Sequence, residues 1–197
     1  MAGGRWYVDA DIHRETLGPL QAGENELRIV IPFGPGVNVE WCYLLGQFGV
    51  EIAGDRGIVT ALPERLAFGD IARQGFPFYG GNLRYDCTLV TDGSGVELEV
   101  PEYYGALLEA SLDGQSHAIL FEPYRAVFRD VPAGEHRLSV TLYGTRINTF
   151  GQLHNCNRKE EYYGPKTWRT TGKNWTYLYQ LHPVGVTVTP ILRMISD

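Results

Sequence analysis

Arg146, Asn148, His154 and Asn155 stand within one short, glycine-bounded stretch that follows the alternating segment Arg137–Tyr143. A guanidinium offers a rigid fork of donors, carboxamides offer paired donors and acceptors, and an imidazole can do either. An ordinary edge loop stays hydrated through Ser, Asp and Gly. Here the polar groups are mixed instead with Ile147, Phe150 and Leu153. Such a mixture makes a polar network held against a core. It can fasten a long connection or hold a polar ligand, and for Arg146 and Asn148 both roles stay open.

A ligand that presents C–H faces and hydroxyls, as a sugar does, needs flat aromatic surface beside forked hydrogen-bonding groups. The chain supplies Phe78-Tyr79, Tyr103-Tyr104, Tyr162-Tyr163, Trp168 and Trp175, with Arg146, Asn148 and Arg169 as polar partners. Sandwich cores also use Tyr and Trp simply to bury area, and Trp175 and Tyr177 read as core. Trp168, in a polar loop, fits either role. The candidate ligand contacts are therefore Tyr79, Arg146, Asn148, His154, Tyr163 and Trp168.

Catalytic signatures are sparse. Gly93-Ser94-Gly95 lacks the flanks of a nucleophile elbow and falls at a hairpin turn. Neither phosphate-cradling glycine motif occurs. His154-x-Cys156 has no second pair at zinc spacing. Hydrolysis of a glycosidic bond needs two carboxyl groups facing each other across a cleft. Glu97 and Glu99 share a strand face, which reads as a solvated surface. Glu102 and Glu122, beside Tyr103-Tyr104 and Pro123-Tyr124, are the better pair, but turnover in this chain is the weaker expectation.

The 197 residues carry a net charge of −6, which argues against nucleic acid and anionic membrane as partners. No apolar run approaches the ~20 residues of a membrane helix. The three cysteines, Cys42, Cys87 and Cys156, are far apart and odd in number, so a reducing, cytoplasmic compartment is preferred. The start of the chain lacks the basic and apolar regions of a signal peptide.

These groups must be positioned by strands. Alternation marks Glu24–Ile31, Asn82–Val90, Val96–Val100, Ala106–Leu112, His117–Phe121, Pro123–Phe128 and Arg137–Tyr143. Glu40–Ile52 suits a central strand, with Gly46 and Gly49 marking a bulge or a close contact. Ile58–Leu62 is a short strand after the Gly54–Gly57 turn. Asp113-Gly114 signals a tight hairpin, and Asp70 can cap one helical turn that Gly75 stops. Trp175–Leu181 reads as a strand with its aromatics on one face, Val184–Thr189 as another, and Ile191–Ile195 as an apolar end able to dock. Residues 155–168 read as a long polar loop. The expectation is all-β, an antiparallel sandwich or jelly roll, as one domain over 22–197 after 1–21, an N-terminal extension or a short strand in which Trp6, Val8 and Ala10 alternate.

Three segments carry a resemblance. They are Gly69-Asp70-Ile71-x-Arg73-Gln74-Gly75-x-Pro77-Phe78-Tyr79-x-Gly81-Asn82, Gly144-Thr145-Arg146-x-Asn148-x-Phe150-Gly151-x-Leu153-His154, and Gly164-Pro165-x-x-Trp168-Arg169-Thr170. Together with Glu40–Gly49 they resemble the galactose-binding-like β-sandwich modules of large bacterial glycoside hydrolases. The resemblance implies a galactose-binding-domain-like jelly roll and a non-catalytic, carbohydrate-binding or accessory role beside a catalytic domain of the same parent protein. Some modules of this type only pack against that neighbour. No organic cofactor is expected. Such modules often carry a structural calcium ion, whose ligands no dense Asp/Asn cluster marks here.

Overall fold

A computed structural model of the chain describes residues 6–7, 9–37, 42–157, 159 and 171–195. The chain forms two compact units, residues 1–44 and 45–197.

In the first unit β1 (Trp6–Tyr7) pairs antiparallel with β2 (Asp9–His13). The expected strand Glu24–Ile31 does not form, and Leu27, Ile29 and Ile31 are exposed. Alternation creates an apolar face, but a strand also needs a neighbour for its N–H and C=O groups. Asn25 satisfies local groups instead. Its side chain accepts from Gln21 N and donates to Gln21 O, each at 2.9 Å.

The second unit begins with the hairpin β3 (Gly49–Ala53) and β4 (Arg56–Thr60), turning at Gly54-Asp55. The central strand expected over Glu40–Ile52 is thus only its last few residues, in a two-stranded sheet; Cys42–Phe48 is irregular and 38–41 lie outside the described residues. The close contacts expected at the two glycines are present. A Cβ at Gly49 would lie 2.7 Å from the Ala61 carbonyl oxygen, and one at Gly46 would lie 2.9 Å from the Phe48 ring. The expected single helical turn is a 3-10 turn over Ile71–Arg73, capped by Asp70, which accepts from Ala72 N at 3.0 Å.

Next come β5 (Leu83–Asp92), β6 (Gly95–Glu99), β7 (Tyr103–Tyr104), β8 (Leu107–Leu112), β9 (Gln115–Ile119), β10 (Arg125–Phe128) and β11 (Ala133–Tyr143). A four-residue helix α1 (Ile147–Phe150), β12 (Gly185–Val186) and β13 (Ile191–Ile195) follow. One antiparallel sheet has the order β5-β11-β8-β9 and the other β10-β6-β13. Their inward side chains form one core. Val96, Leu98, Ala126 and Phe128 come from the smaller sheet; Leu89, Leu108, Ala110, Leu112, Ile119, Leu138, Val140 and Leu142 come from the larger. This is an antiparallel β-sandwich. Asp113-Gly114 does close β8 on β9, both residues having positive φ (47° and 91°), as a primed turn requires.

Two sequence expectations fail at the edges. Cys87 has the inward parity of Leu83, Tyr85 and Leu89 but is exposed, because β5 is an edge strand and the core ends before its lip. Trp175–Leu181 is not a strand. Thr176 N donates to His154 O, Tyr179 N to Gly54 O and Gln180 N to Leu153 O, so its backbone bonds go to separate loops. Only the bridge Asn155↔Trp175 is sheet-like. Ile191–Ile195 does dock, through hydrogen bonds to β6, while Ile191, Leu192 and Met194 stay exposed.

Phe128 is fully buried in this core. Phe128→Ala is expected to lower the unfolding free energy by about 3–5 kcal/mol, read from urea denaturation of the whole chain.

Candidate functional site

The registers place one set of loops together. Leu83 opens β5 opposite Leu142, Leu107 opens β8 opposite Tyr143, and Glu99 closes β6 opposite the openings of β10 and β13 at Arg125 and Ile191. The loops around 79–82, 100–106, 120–124, 144–157 and 184–190 therefore share one end of the sandwich. Tyr79, Arg146, Asn148 and His154 all belong to it. Tyr163 and Trp168 lie outside the described residues.

The 144–151 corner is fastened at both sides. Gly144 N donates to Asn82 Oδ1 at 3.2 Å, and a Cβ at Gly144 would overlap the Gly81 carbonyl oxygen. Thr149 Oγ1 donates to Phe78 O at 2.8 Å. Asn148 is 1% exposed. Its Nδ2 donates to His182 O at 2.7 Å and its Oδ1 accepts from His182 N at 2.9 Å. Of the two roles open for Asn148, this geometry is the fastening one: the amide is spent on the main chain and no surface is left for a ligand.

Arg146 differs. It caps α1 only through its carbonyl, which accepts from Thr149 N and Phe150 N at 3.0 and 2.9 Å. Its guanidinium is exposed, lies 5.9 Å from the Phe150 ring centroid, and pairs with no carboxylate among the described residues. Tyr79 is exposed on one face while its hydroxyl donates to Asn82 O at 3.0 Å within its own turn.

His154 sits in a run of rings. Phe78 and Tyr179 have centroids 5.4 Å apart, Tyr179 and His154 5.0 Å, His154 and Trp175 5.9 Å, and Trp175 and Tyr177 4.2 Å. The His154 Nδ1 atom is buried with no hydrogen-bond partner among the described residues. The expectation that Trp175 and Tyr177 are core is corrected. Trp175 is half-buried and Tyr177 is 72% exposed, because the segment that carries them winds across loops at the end of the sandwich. The sequence missed Phe78, Tyr177 and Tyr179 as one cluster, since their adjacency spans two distant segments with no local signal.

The carboxylates also fall into place. Glu97 and Glu99 are not a freely solvated face. Arg193 Nη1 reaches Glu97 Oε1 at 3.0 Å and Glu99 Oε2 at 2.6 Å, and Arg125 Nη2 reaches Glu99 Oε2 at 3.2 Å. The hydrogen bond from Arg193, aided by the charge of Arg125, holds the Glu99 carboxyl below the usual range. Glu102 Oε2 accepts from Thr187 Oγ1 at 2.6 Å, and Tyr104 O–H lies 3.5 Å from Oε1. Glu122 is exposed. Among the described residues no group of three or more His, Cys, Asp or Glu side chains is placed to hold a metal ion, and no helix is long and apolar enough to cross a membrane.

No protein-family profile matches the chain, and no curated protein matches it. Solved structures with some backbone likeness include a GH2 β-galacturonidase from Eisenbergiella tayi bound to galacturonate, at 20% identity over 48% of this chain and 17% of that one, TM-score 0.30. A GH2 β-galacturonidase from the same organism bound to glycerol matches at 17% identity over 74% of this chain and 22% of that one, TM-score 0.36. A rhamnosidase from Novosphingobium sp. PP1Y matches at 19% identity over 74% and 14%, TM-score 0.42. The chain thus spans under a quarter of each of these proteins. Likeness at these scores is too slight to carry a conclusion about this chain.

The two corner residues make opposite predictions. Asn148→Ala removes both hydrogen bonds that the buried amide makes to the His182 main chain and is expected to cost about 1–3 kcal/mol. Arg146→Ala is expected to change stability by no more than about 0.5 kcal/mol, as for other exposed side chains. Thermal and urea denaturation of the two variants measure both.

Proposed function

We propose that this chain is a non-catalytic carbohydrate-binding module, a galactose-binding-like jelly roll belonging to a larger glycoside hydrolase. The observation that carries the proposal is the run of rings from Phe78 to Tyr177. It ends in an exposed phenol ring at the loop end of the sandwich, where core packing does not require one. The sugar's C–H face stacks on Tyr177 and the exposed part of Trp175. Arg146, held over Phe150 and paired with no carboxylate among the described residues, supplies donors to ring hydroxyls, and Tyr79 adds aromatic surface. Asn148 takes no part beyond fixing the corner. The sequence resemblance supports the same assignment, with the catalytic domain of the parent protein as the neighbour.

A second reading, a module that only packs against a catalytic domain, is favoured by one feature. Leu120 and Phe121, on the β9–β10 loop at the same end, are exposed, Phe121 by 79%.

A glycan array followed by titration calorimetry on the whole chain distinguishes the readings. Millimolar or tighter binding to a plant or host glycan is expected. Tyr177→Ala and Trp175→Ala are each expected to weaken it by ~1–3 kcal/mol, the scale of losing a stacking platform, with Arg146→Ala weakening it at unchanged stability. No binding to any glycan at millimolar concentration selects the packing module.

A further inference from the structure

The opposite end of the sandwich holds a charge pair that the proposed binding role does not use. His136, on β11, is 8% exposed. Its Nδ1 lies 2.6 Å from Asp113 Oδ2 and its Nε2 lies 2.7 Å from Pro132 O. A carbonyl oxygen only accepts. The other Asp113 oxygen accepts from Arg137 N at 2.8 Å, which favours the carboxylate. Both ring nitrogens therefore face acceptors, and only an imidazolium satisfies both. Pro132 O also accepts from Thr91 Oγ1 at 2.7 Å, so three elements meet at this point.

We infer that Asp113, His136 and Pro132 form a proton-dependent latch, in which one ring ties the β8–β9 tip and the turn before β11 together only while it carries both protons. Loss of one proton leaves a ring lone pair facing either the carboxylate or the carbonyl. One of the two contacts must then break, which weakens the cluster, while the tip keeps the bonds from Asp113 N to Arg137 O at 3.0 Å and from Arg137 N to Asp113 Oδ1 at 2.8 Å.

The surrounding groups do not replace the imidazolium. Asp86 is taken by Arg84 at 2.9 Å and Arg137 at 3.9 Å. Asp92, opposite Ala133, turns its carboxylate to Ser94 N and Oγ at 3.1 and 2.6 Å. Glu135 is exposed and lines an open surface cavity together with Asp86, Cys87, Asp113, His136 and Arg137. The Cys87 thiol lining that cavity is pushed up by partial desolvation and then by the Asp86 charge. His117, on β9, rests on the Phe128 ring and lies 3.2 Å from Gln115 Nε2.

The hydrogen bonds to Asp113 and then Pro132 raise the His136 pKa above its ordinary value. The bonds from His136 and then Arg137 N hold Asp113 below its ordinary value. The latch is fully closed below the ordinary imidazole pKa and above the ordinary carboxyl pKa. It is lost at the alkaline side as pH rises through the raised histidine value, and at the acid side as pH falls through the lowered aspartate value.

The test is a pH titration of the histidine-labelled whole chain by nitrogen-detected NMR, with amide hydrogen exchange at each pH corrected for its intrinsic rate. Two ring N–H groups on His136 at pH 7 are expected, with a midpoint above that of an ordinary histidine. Protection of the Asp113 and Arg137 amides is expected to fall by up to about tenfold for each pH unit between the ordinary histidine value and that midpoint, and to level off above it. Asp113→Asn is expected to lower the midpoint by about one unit or more. A single N–H on His136 at pH 7, or protection unchanged through its titration, overturns the latch. The wild-type titration decides even if the variant does not fold.

Discussion

Two strands, one in each sheet, hold the second unit together, each hydrogen-bonded on both sides as β8 also is. β11 pairs with β5 and β8, and β6 pairs with β10 and β13. Each also sends alternate apolar side chains inward, Leu138, Val140 and Leu142 from one and Val96 and Leu98 from the other. Backbone bonding and apolar burial thus act on the same residues. A slip of one position on either strand would turn its apolar set outward. The register is therefore tightly held, and with it the place where every loop leaves the sheets.

That constraint explains the corner at Gly144. The last residues of β11 lie against the opening of β5, so the chain leaving β11 runs directly past Gly80 and Gly81. Only a glycine fits at 144, because a side chain would collide with the Gly81 carbonyl. Asn148 then ties the next turn to His182, which brings the 171–183 segment back over the same end. The rings of His154, Trp175 and Tyr179 are gathered by main-chain bonds of Thr176 and Gln180, not by a core beneath them. Frame and ring cluster are held by different forces.

The same division accounts for what was legible in the sequence. Arg137–Tyr143, Val96–Val100 and the Asp113-Gly114 turn were readable because period 2 and positive φ are local properties. So was the Asp70 cap. Glu24–Ile31 has the same alternation as Arg137–Tyr143, yet it forms no strand, since pairing depends on a neighbour that no local pattern supplies. Cys87 illustrates the converse: its parity is right, but an edge position decides its exposure. Asn148 was legible as a polar group held against apolar ones. That it fastens the corner became visible only with His182, which lies 34 residues away. Tyr177 was misplaced for the same reason, because its segment alternates without pairing.

The cross-strand arginines on the outer face of the smaller sheet have a consequence of their own. Arg125 and Arg193 flank Glu97 and Glu99 from the two outer strands, two positive groups against two negative ones. These four charges cancel one another locally. A charged molecule approaching from solution would feel little pull toward this flank and would be guided by the other faces.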